Sequence, residues 1–160
     1  MIKMKISRKD KLIIRQLLDN SRMLYSDLGR ACRISRQTAL NRVKYLKKHG
    51  VIEKFTIRPG YEKMGLDFRA YLLITAEPDK DTRSELDKFL QKDSRITQAH
   101  HLFGRFDFFL EAVVSGREEL SGLLKEIHSF KAVKKTETFI VYETMKYEPE
   151  APVKQLLGKE

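Results

Sequence analysis

Pro59-Gly60 is the sharpest break in this 160-residue chain. Proline has no N–H to give to a helix or a ladder, and glycine admits backbone angles that other residues avoid. Before the break, the apolar residues recur at helical spacing, apart from one short extended run. After it, segments that alternate every second residue are interleaved with helical ones. The chain is therefore expected to fold as two units: a helical one over residues 1–60 and an α+β one over 68–147, with 61–67 as connector and 148–160 as a polar tail. Charge changes at the same place. Residues 1–60 hold 16 Lys or Arg against 4 Asp or Glu, a balance of +12; residues 61–160 hold 16 against 18, a balance of −2. A basic unit joined to a near-neutral one is the pattern of a nucleic-acid-binding domain that carries something else.

The basic half is organised around Ile34–Gly50, which reads as one helix with both ends marked. Ser35 suits an N-cap, Gly50 suits the left-handed position past the end, and Lys47, Lys48 and His49 suit the negative end of the helix dipole. Ala39, Val43 and Leu46 form a narrow apolar stripe at i, i+4 and i+7. The remaining surface carries Arg36, Gln37, Thr38, Asn41, Arg42, Lys44 and Lys48. Such a surface is either a solvated basic face or one that enters a DNA groove, where Arg, Gln and Asn make bidentate bonds to base edges and lysines neutralise phosphates. The preceding segments favour the groove. Ile6–Asn20 predicts a helix opened by the Ser7-x-x-Asp10 start, with Ile13, Ile14, Leu17 and Leu18 on one side. Tyr25–Arg33 predicts a shorter helix with Leu28 and Cys32 on one face and small Gly29 between them, so that two helices can approach closely. With a turn at Arg33-Ile34 these make a helix-turn-helix, its motif at about residues 25–44. Val51–Arg58 reads as a short strand beside it, a wing, with Lys54 and Arg58 available to phosphates.

The second half predicts the order βαββαβ, a ferredoxin-like sandwich. Strands are expected at Phe68–Ala76, Ile96–Phe103, Phe106–Val114 and Val133–Met145. Between them lie a helix with a Thr82/Glu85 capping box and apolar Leu86, Phe89 and Leu90, and a helix with a Ser115/Glu118 cap and apolar Leu120, Leu123, Leu124 and Ile127.

Several function classes are set aside at this stage. No apolar run reaches the roughly 18 residues that span a bilayer, and no signal-peptide core is present. One cysteine, Cys32, forms no internal pair and is expected in the core, so a reducing cytoplasm is the natural compartment. His49, His100, His101 and His128 do not have metal-ligand spacing; His100 and His101 are adjacent on a strand and point to opposite faces. No phosphate loop, nucleophile elbow or pair of catalytic carboxylates is legible, so no metal and no cofactor are expected. Asp107 has two readings, a turn residue accepting backbone hydrogen bonds or an acceptor for a ligand's ammonium.

At this point the sequence resembles the Lrp/AsnC family of transcription regulators, over about residues 6–147. Ile6-Ser7, Asp10 and Ile13-Ile14 are similar to the family's L-D-x-x-D-x-x-I-L opening, with Ser7 in place of Asp. Asp27-Leu28, Ile34-Ser35, Arg42-Val43, Leu46 and Gly50-Val51-Ile52 follow its helix-turn-helix pattern. Glu62-Lys63-Met64-Gly65 is similar to the linker, and Gly104-Arg105-Phe106-Asp107 to the G-x-Y-D turn of the ligand-sensing domain. Three positions depart from the pattern: Arg33 stands where a turn Gly is frequent, Leu24 replaces a capping Ser, and the 148–160 tail has no counterpart. The resemblance implies a non-enzymatic regulator that forms dimers or higher homo-oligomers, binds a palindromic DNA operator and responds to a small effector, an amino acid or a related metabolite. The expected DNA-binding set is Ser35, Arg36, Gln37, Thr38, Asn41, Arg42, Lys44, Lys48 and Lys54. The resemblance also implies an effector site at Gly104, Arg105 and Asp107, completed by Thr136 and Thr138 of a neighbouring chain. Two alternatives stand beside this reading: a general DNA-coating protein, and a tetrapyrrole decarboxylase on the same architecture.

Overall fold

The computed structural model describes residues 6–158; positions 1–5 of the expected N-terminal unit and 159–160 of the expected tail lie outside the described residues. The chain divides into two compact units, one of residues 1–57 with 146–160, the other of residues 58–145.

The first unit contains α1 (Arg8–Asp19), α2 (Tyr25–Ala31) and α3 (Arg36–Lys48). Ser7 caps α1 in a capping box: its hydroxyl accepts from the Asp10 N–H while the Asp10 carboxylate accepts from the Ser7 N–H. Ser35 caps α3 by accepting from the Thr38 N–H at 3.0 Å. Leu24 gives α2 no side-chain cap. Ile13, Leu28, Cys32, Ala39, Val43 and Leu46 close one apolar core, the helical stripes meeting as their spacing requires. Gly29 is at the tightest approach: a Cβ there would lie 2.8 Å from the Ile34 carbonyl oxygen. Arg33 takes the left-handed turn position itself, at φ 53, so the turn keeps its shape without glycine.

Two expectations for this unit are corrected. The Val51–Arg58 wing contains no strand. The N–H groups of Val51 and Ile52 both return to the Leu46 carbonyl, at 3.0 and 3.2 Å, and their side chains join the core. Among the described residues no neighbouring backbone forms a ladder with the rest, and a strand without a ladder is not a strand. The polar tail in turn holds a helix, α6 (Ala151–Leu157), with Pro152 in its first turn, where a missing N–H costs nothing. Leu157 packs against the core of the first unit, and Lys154 Nζ lies 3.4 Å from Asp19. Seven residues are too few to be helical alone; docking supplies the stability.

The second unit is an α+β sandwich. After a single 3-10 turn at Glu62–Met64, β1 (Phe68–Ala76), α4 (Lys80–Lys92), β2 (Ile96–His101), β3 (Phe108–Val114), α5 (Arg117–Ser129) and β4 (Val133–Ile140) follow in the expected order. The sheet is antiparallel with strand order β2-β3-β1-β4. Ala70, Leu72, Ile74, Phe108, Leu110 and Ala112 point to one face and pack on Leu86, Leu90, Leu120, Leu123 and Ile127 of the helices. β1 has its expected bounds, whereas β2 and β4 end earlier than predicted, at His101 and Ile140, and β3 starts later, at Phe108. Both helix starts also differ. Asp79 caps α4, its carboxylate accepting from the Thr82 N–H at 3.0 Å and from the Thr82 hydroxyl at 2.9 Å. At α5 the cap is Gly116, and Ser115 donates its N–H and hydroxyl to Glu119, both at 2.7 Å.

Candidate nucleic-acid interface

The two sides of α3 differ as the stripe predicts. Ala39, Val43 and Leu46 are buried, whereas Arg36, Gln37, Thr38, Asn41, Lys44 and Lys48 are exposed. Gln37 Nε2 donates to Asn41 Oδ1 at 3.0 Å, so two amides stand side by side along the exposed surface. Ser35 and Thr38 are tied to the cap, with hydroxyl oxygens 2.8 Å apart. Lys54 is exposed on the segment after α3.

Arg42 is placed differently from the other basic residues of α3. Its Nε donates to Asp10 Oδ1 at 2.7 Å, and its Nη2 forms a close ion pair with the other carboxylate oxygen. Its guanidinium also lies over the Tyr45 ring, 5.0 Å from the centroid. The Asp10 side chain is 1% exposed. Burial pushes its carboxyl up, but hydrogen bonds from Arg42 and Ser7 outweigh burial and hold it below the usual aspartate range. The sequence marked Asp10 as a capping residue, but the partner it binds 32 positions away carries no local signal.

In the second unit, the Gly104 turn is exposed, with Gly104 at φ 146 and Phe103 fully in solvent. Asp107 accepts a backbone hydrogen bond and an ion pair within the chain. One carboxylate oxygen accepts from the Ala76 N–H at 2.9 Å, and the other pairs closely with Arg83 of α4. The Ala76 N–H, more than Arg83, holds its carboxyl below the usual range, against a smaller opposing effect of burial. Arg83, absent from the expected site, also donates to the Ala76 carbonyl at 3.1 Å. Arg105 is mostly exposed and reaches Glu137 at 3.2 Å. Thr136 and Thr138 pair with Ile74 and Leu72 across the ladder, on the helix-covered face, whereas Glu137 pairs with Leu73 on the other. Thr136 Oγ1 is buried without a hydrogen-bond partner among the described residues. Within one chain, then, Arg105 meets Glu137 rather than either threonine.

The face of the sheet away from α4 and α5 carries Tyr71 beside Phe109, with ring centroids 5.4 Å apart, and half-exposed Phe139. Glu111 lies buried there, accepting from Thr97 at 2.8 Å and Gln98 at 2.9 Å, with Arg69 Nε at 3.4 Å. His100 and His101 fall on opposite faces: His100 beside Phe109, His101 stacked on Phe108 at 4.7 Å and 3.4 Å from Asp87. Among the described residues no three His, Cys, Asp or Glu side chains gather as a metal site, and no helix is long and apolar enough to cross a membrane.

Known proteins match both units. Residues 6–53 match the winged helix-turn-helix DNA-binding model, and residues 69–151 match the Lrp/AsnC ligand binding domain. An uncharacterized HTH-type transcriptional regulator of Pyrococcus horikoshii is 32% identical over 143 residues, covering 89% of this chain and 95% of its own. Escherichia coli AsnC superposes with a TM-score of 0.82 at 25% identity, over 91% of this chain and 97% of its own. A Neisseria meningitidis transcriptional regulator, in complex with L-methionine, superposes with a TM-score of 0.86 at 21% identity, over 95% of this chain and 99% of its own. A helix-turn-helix with one basic face, followed by a four-stranded α+β unit that matches the ligand-binding domain, makes this chain a member of the Lrp/AsnC family of transcriptional regulators.

Proposed function

We propose that the protein is a sequence-specific regulator that reads a palindromic operator with α3 as a homodimer or larger homo-oligomer in the cytoplasm, under control of an amino-acid-type effector. The observation that carries the reading is the exposed Gln37–Asn41 amide pair on a helix whose opposite side is buried. Two amides aimed outward, flanked by Arg36, suit base edges, while Lys44, Lys48 and Lys54 suit phosphates. Ser35 and Thr38 set the helix start that approaches the DNA. Arg42 takes a bracing role, because Asp10 holds its guanidinium. One helix-turn-helix makes few base contacts, and a two-fold dimer doubles them at half-sites about 10 bp per turn apart. The aromatic sheet face around Tyr71, Phe109 and Phe139 is the surface on which the second copy docks.

In this reading the effector binds at the Gly104 turn between subunits. Backbone N–H groups at Gly104 and the Arg105 guanidinium suit a carboxylate, and the Thr136 and Thr138 hydroxyls complete the site from a neighbour. Asp107 shapes the turn, since both of its oxygens have partners in the chain. The L-methionine bound to the Neisseria regulator supports an amino acid as effector.

Selection of bound duplexes from a random pool, with and without L-methionine and other amino acids, tests the reading. A consensus palindrome that shifts in occupancy with one amino acid is the expected result. On that operator Gln37→Ala costs about 1–3 kcal/mol and leaves binding to random DNA nearly unchanged. Recovery of no consensus makes the protein a general DNA-coating one.

A further inference from the structure

The apolar stripe of α3 is narrow. Ala39, Val43 and Leu46 bury it, but apolar contacts have no direction, and three of them resist rotation of the helix about its own axis only weakly. Base reading needs that rotation set, because adjacent residues point about 100° apart around a helix. The Asp10–Arg42 pair is a directional contact between α1 and α3. Asp10 is fixed first, in the first turn of α1: it accepts the Ser7 N–H at 3.0 Å and the Ser7 hydroxyl at 2.6 Å. Both of its oxygens then take the Arg42 fork, whose Nη2 also reaches Ser7 Oγ at 3.3 Å. A guanidinium bound through two nitrogens is held in plane as well as in place. Arg42 directly follows Asn41, and Asn41 holds Gln37. The Tyr45 ring lies one turn away against the Arg42 guanidinium and also meets the His49 ring, with centroids 4.1 Å apart.

We propose that Asp10 is a positioning residue for DNA recognition: it takes the Arg42 guanidinium away from the phosphates and uses it to fix the rotation of α3, so that Gln37 and Asn41 face the bases. The basic unit thereby gives up one phosphate contact for orientation. Loss of Asp10 should free a cation while it blurs the reading of sequence. A role confined to fold stability predicts something else, a parallel loss on all DNA.

This inference rests on the sequence-specific reading above, and the test separates the two. The full-length protein is titrated onto the selected operator and onto a scrambled duplex of the same length and composition, at several salt concentrations, at a temperature where each variant is folded. Asp10→Asn keeps an acceptor for the Ser7 N–H but loses the charge that holds Arg42. Its operator-to-scrambled affinity ratio should fall about tenfold. Its affinity for scrambled DNA should rise at low salt, with a salt slope steeper by about 0.9, one added phosphate contact. Arg42→Gln covers the case in which Asp10→Asn fails to fold. Its ratio should fall as well, but with scrambled-DNA affinity and salt slope unchanged, because Arg42 makes no phosphate contact in the wild type. A wild-type ratio in both variants, or a parallel loss on both duplexes, overturns the positioning role. A salt slope flatter by about 0.9 in Arg42→Gln makes Arg42 a phosphate ligand and overturns it too. A wild type that does not distinguish the two duplexes sinks the sequence-specific reading itself.

Discussion

Asp10 and Asp107 do the same job in the two units. Each carboxylate accepts from one backbone N–H and one guanidinium of another element: Ser7 and Arg42 for Asp10, Ala76 and Arg83 for Asp107. They differ in depth. The Asp10 side chain is 1% exposed and that of Asp107 is 30% exposed. A buried carboxylate that loses its cation cannot turn to water, whereas a half-exposed one can. The DNA-facing unit is therefore locked by its ion pair. The Gly104 turn is only steadied by one.

The largest expected effect is that of Arg42→Ala. It leaves a buried carboxylate whose remaining partner among the described residues is Ser7 and costs about 3 kcal/mol, read as a drop in urea midpoint. A cost no greater than that of Arg83→Ala would dissolve the contrast between the units. Gly29→Ala comes next, at about 2 kcal/mol, because its new Cβ would meet the backbone oxygen of Ile34 at 2.8 Å. Gly104→Ala has nothing within 4 Å and pays only for its backbone angle, about 1 kcal/mol. Thermal unfolding of the two alanine variants ranks them, and the reverse order would show that the Gly104 turn is the stiffer of the two. Arg83→Ala costs about 1 kcal/mol, since water partly replaces it at Asp107. Its more telling readout is a change in amino-acid affinity with operator affinity kept.

The smallest effect is that of acid. Both carboxyls have folded pKa values below the ordinary 3.8. Their contribution is complete above that unfolded value and is lost as pH falls through the lower folded values. Urea midpoints measured between about pH 2 and pH 6 should decline on the acid side, and Asp10→Asn and Asp107→Asn should each flatten that decline. An unchanged slope in Asp10→Asn would mean that its charge does not favour the folded state.

Features made within one turn of chain were legible in the residues alone. The Ser7–Asp10 box, the Ser35 cap and the buried side of α5 at Leu120, Leu123 and Ile127 all arise between positions three or four apart. Periodicity and capping are short-range physics, so they carried the helix-turn-helix, the strand and helix order and the outward face of α3. Caps with two local contenders went the other way, as at Asp79 over Thr82, where a charged acceptor next door outbids a hydroxyl.

What the tertiary structure decided lies at long separation. Arg42 looks like Lys44 and Lys48 on paper. Only the packing of α1 against α3 brings it to Asp10, 32 positions away. Asp107 pairs with Arg83, 24 positions off, a partner that no local spacing shows. The 148–160 segment is polar enough to read as a tail, yet Leu157 finds the core of the first unit from the far end of the chain. The 51–58 segment had the composition of a strand but finds no ladder partner among the described residues. In each case the side chain has several partners of nearly equal local merit. The choice among them is made when the apolar faces close and desolvate one pairing and not the others.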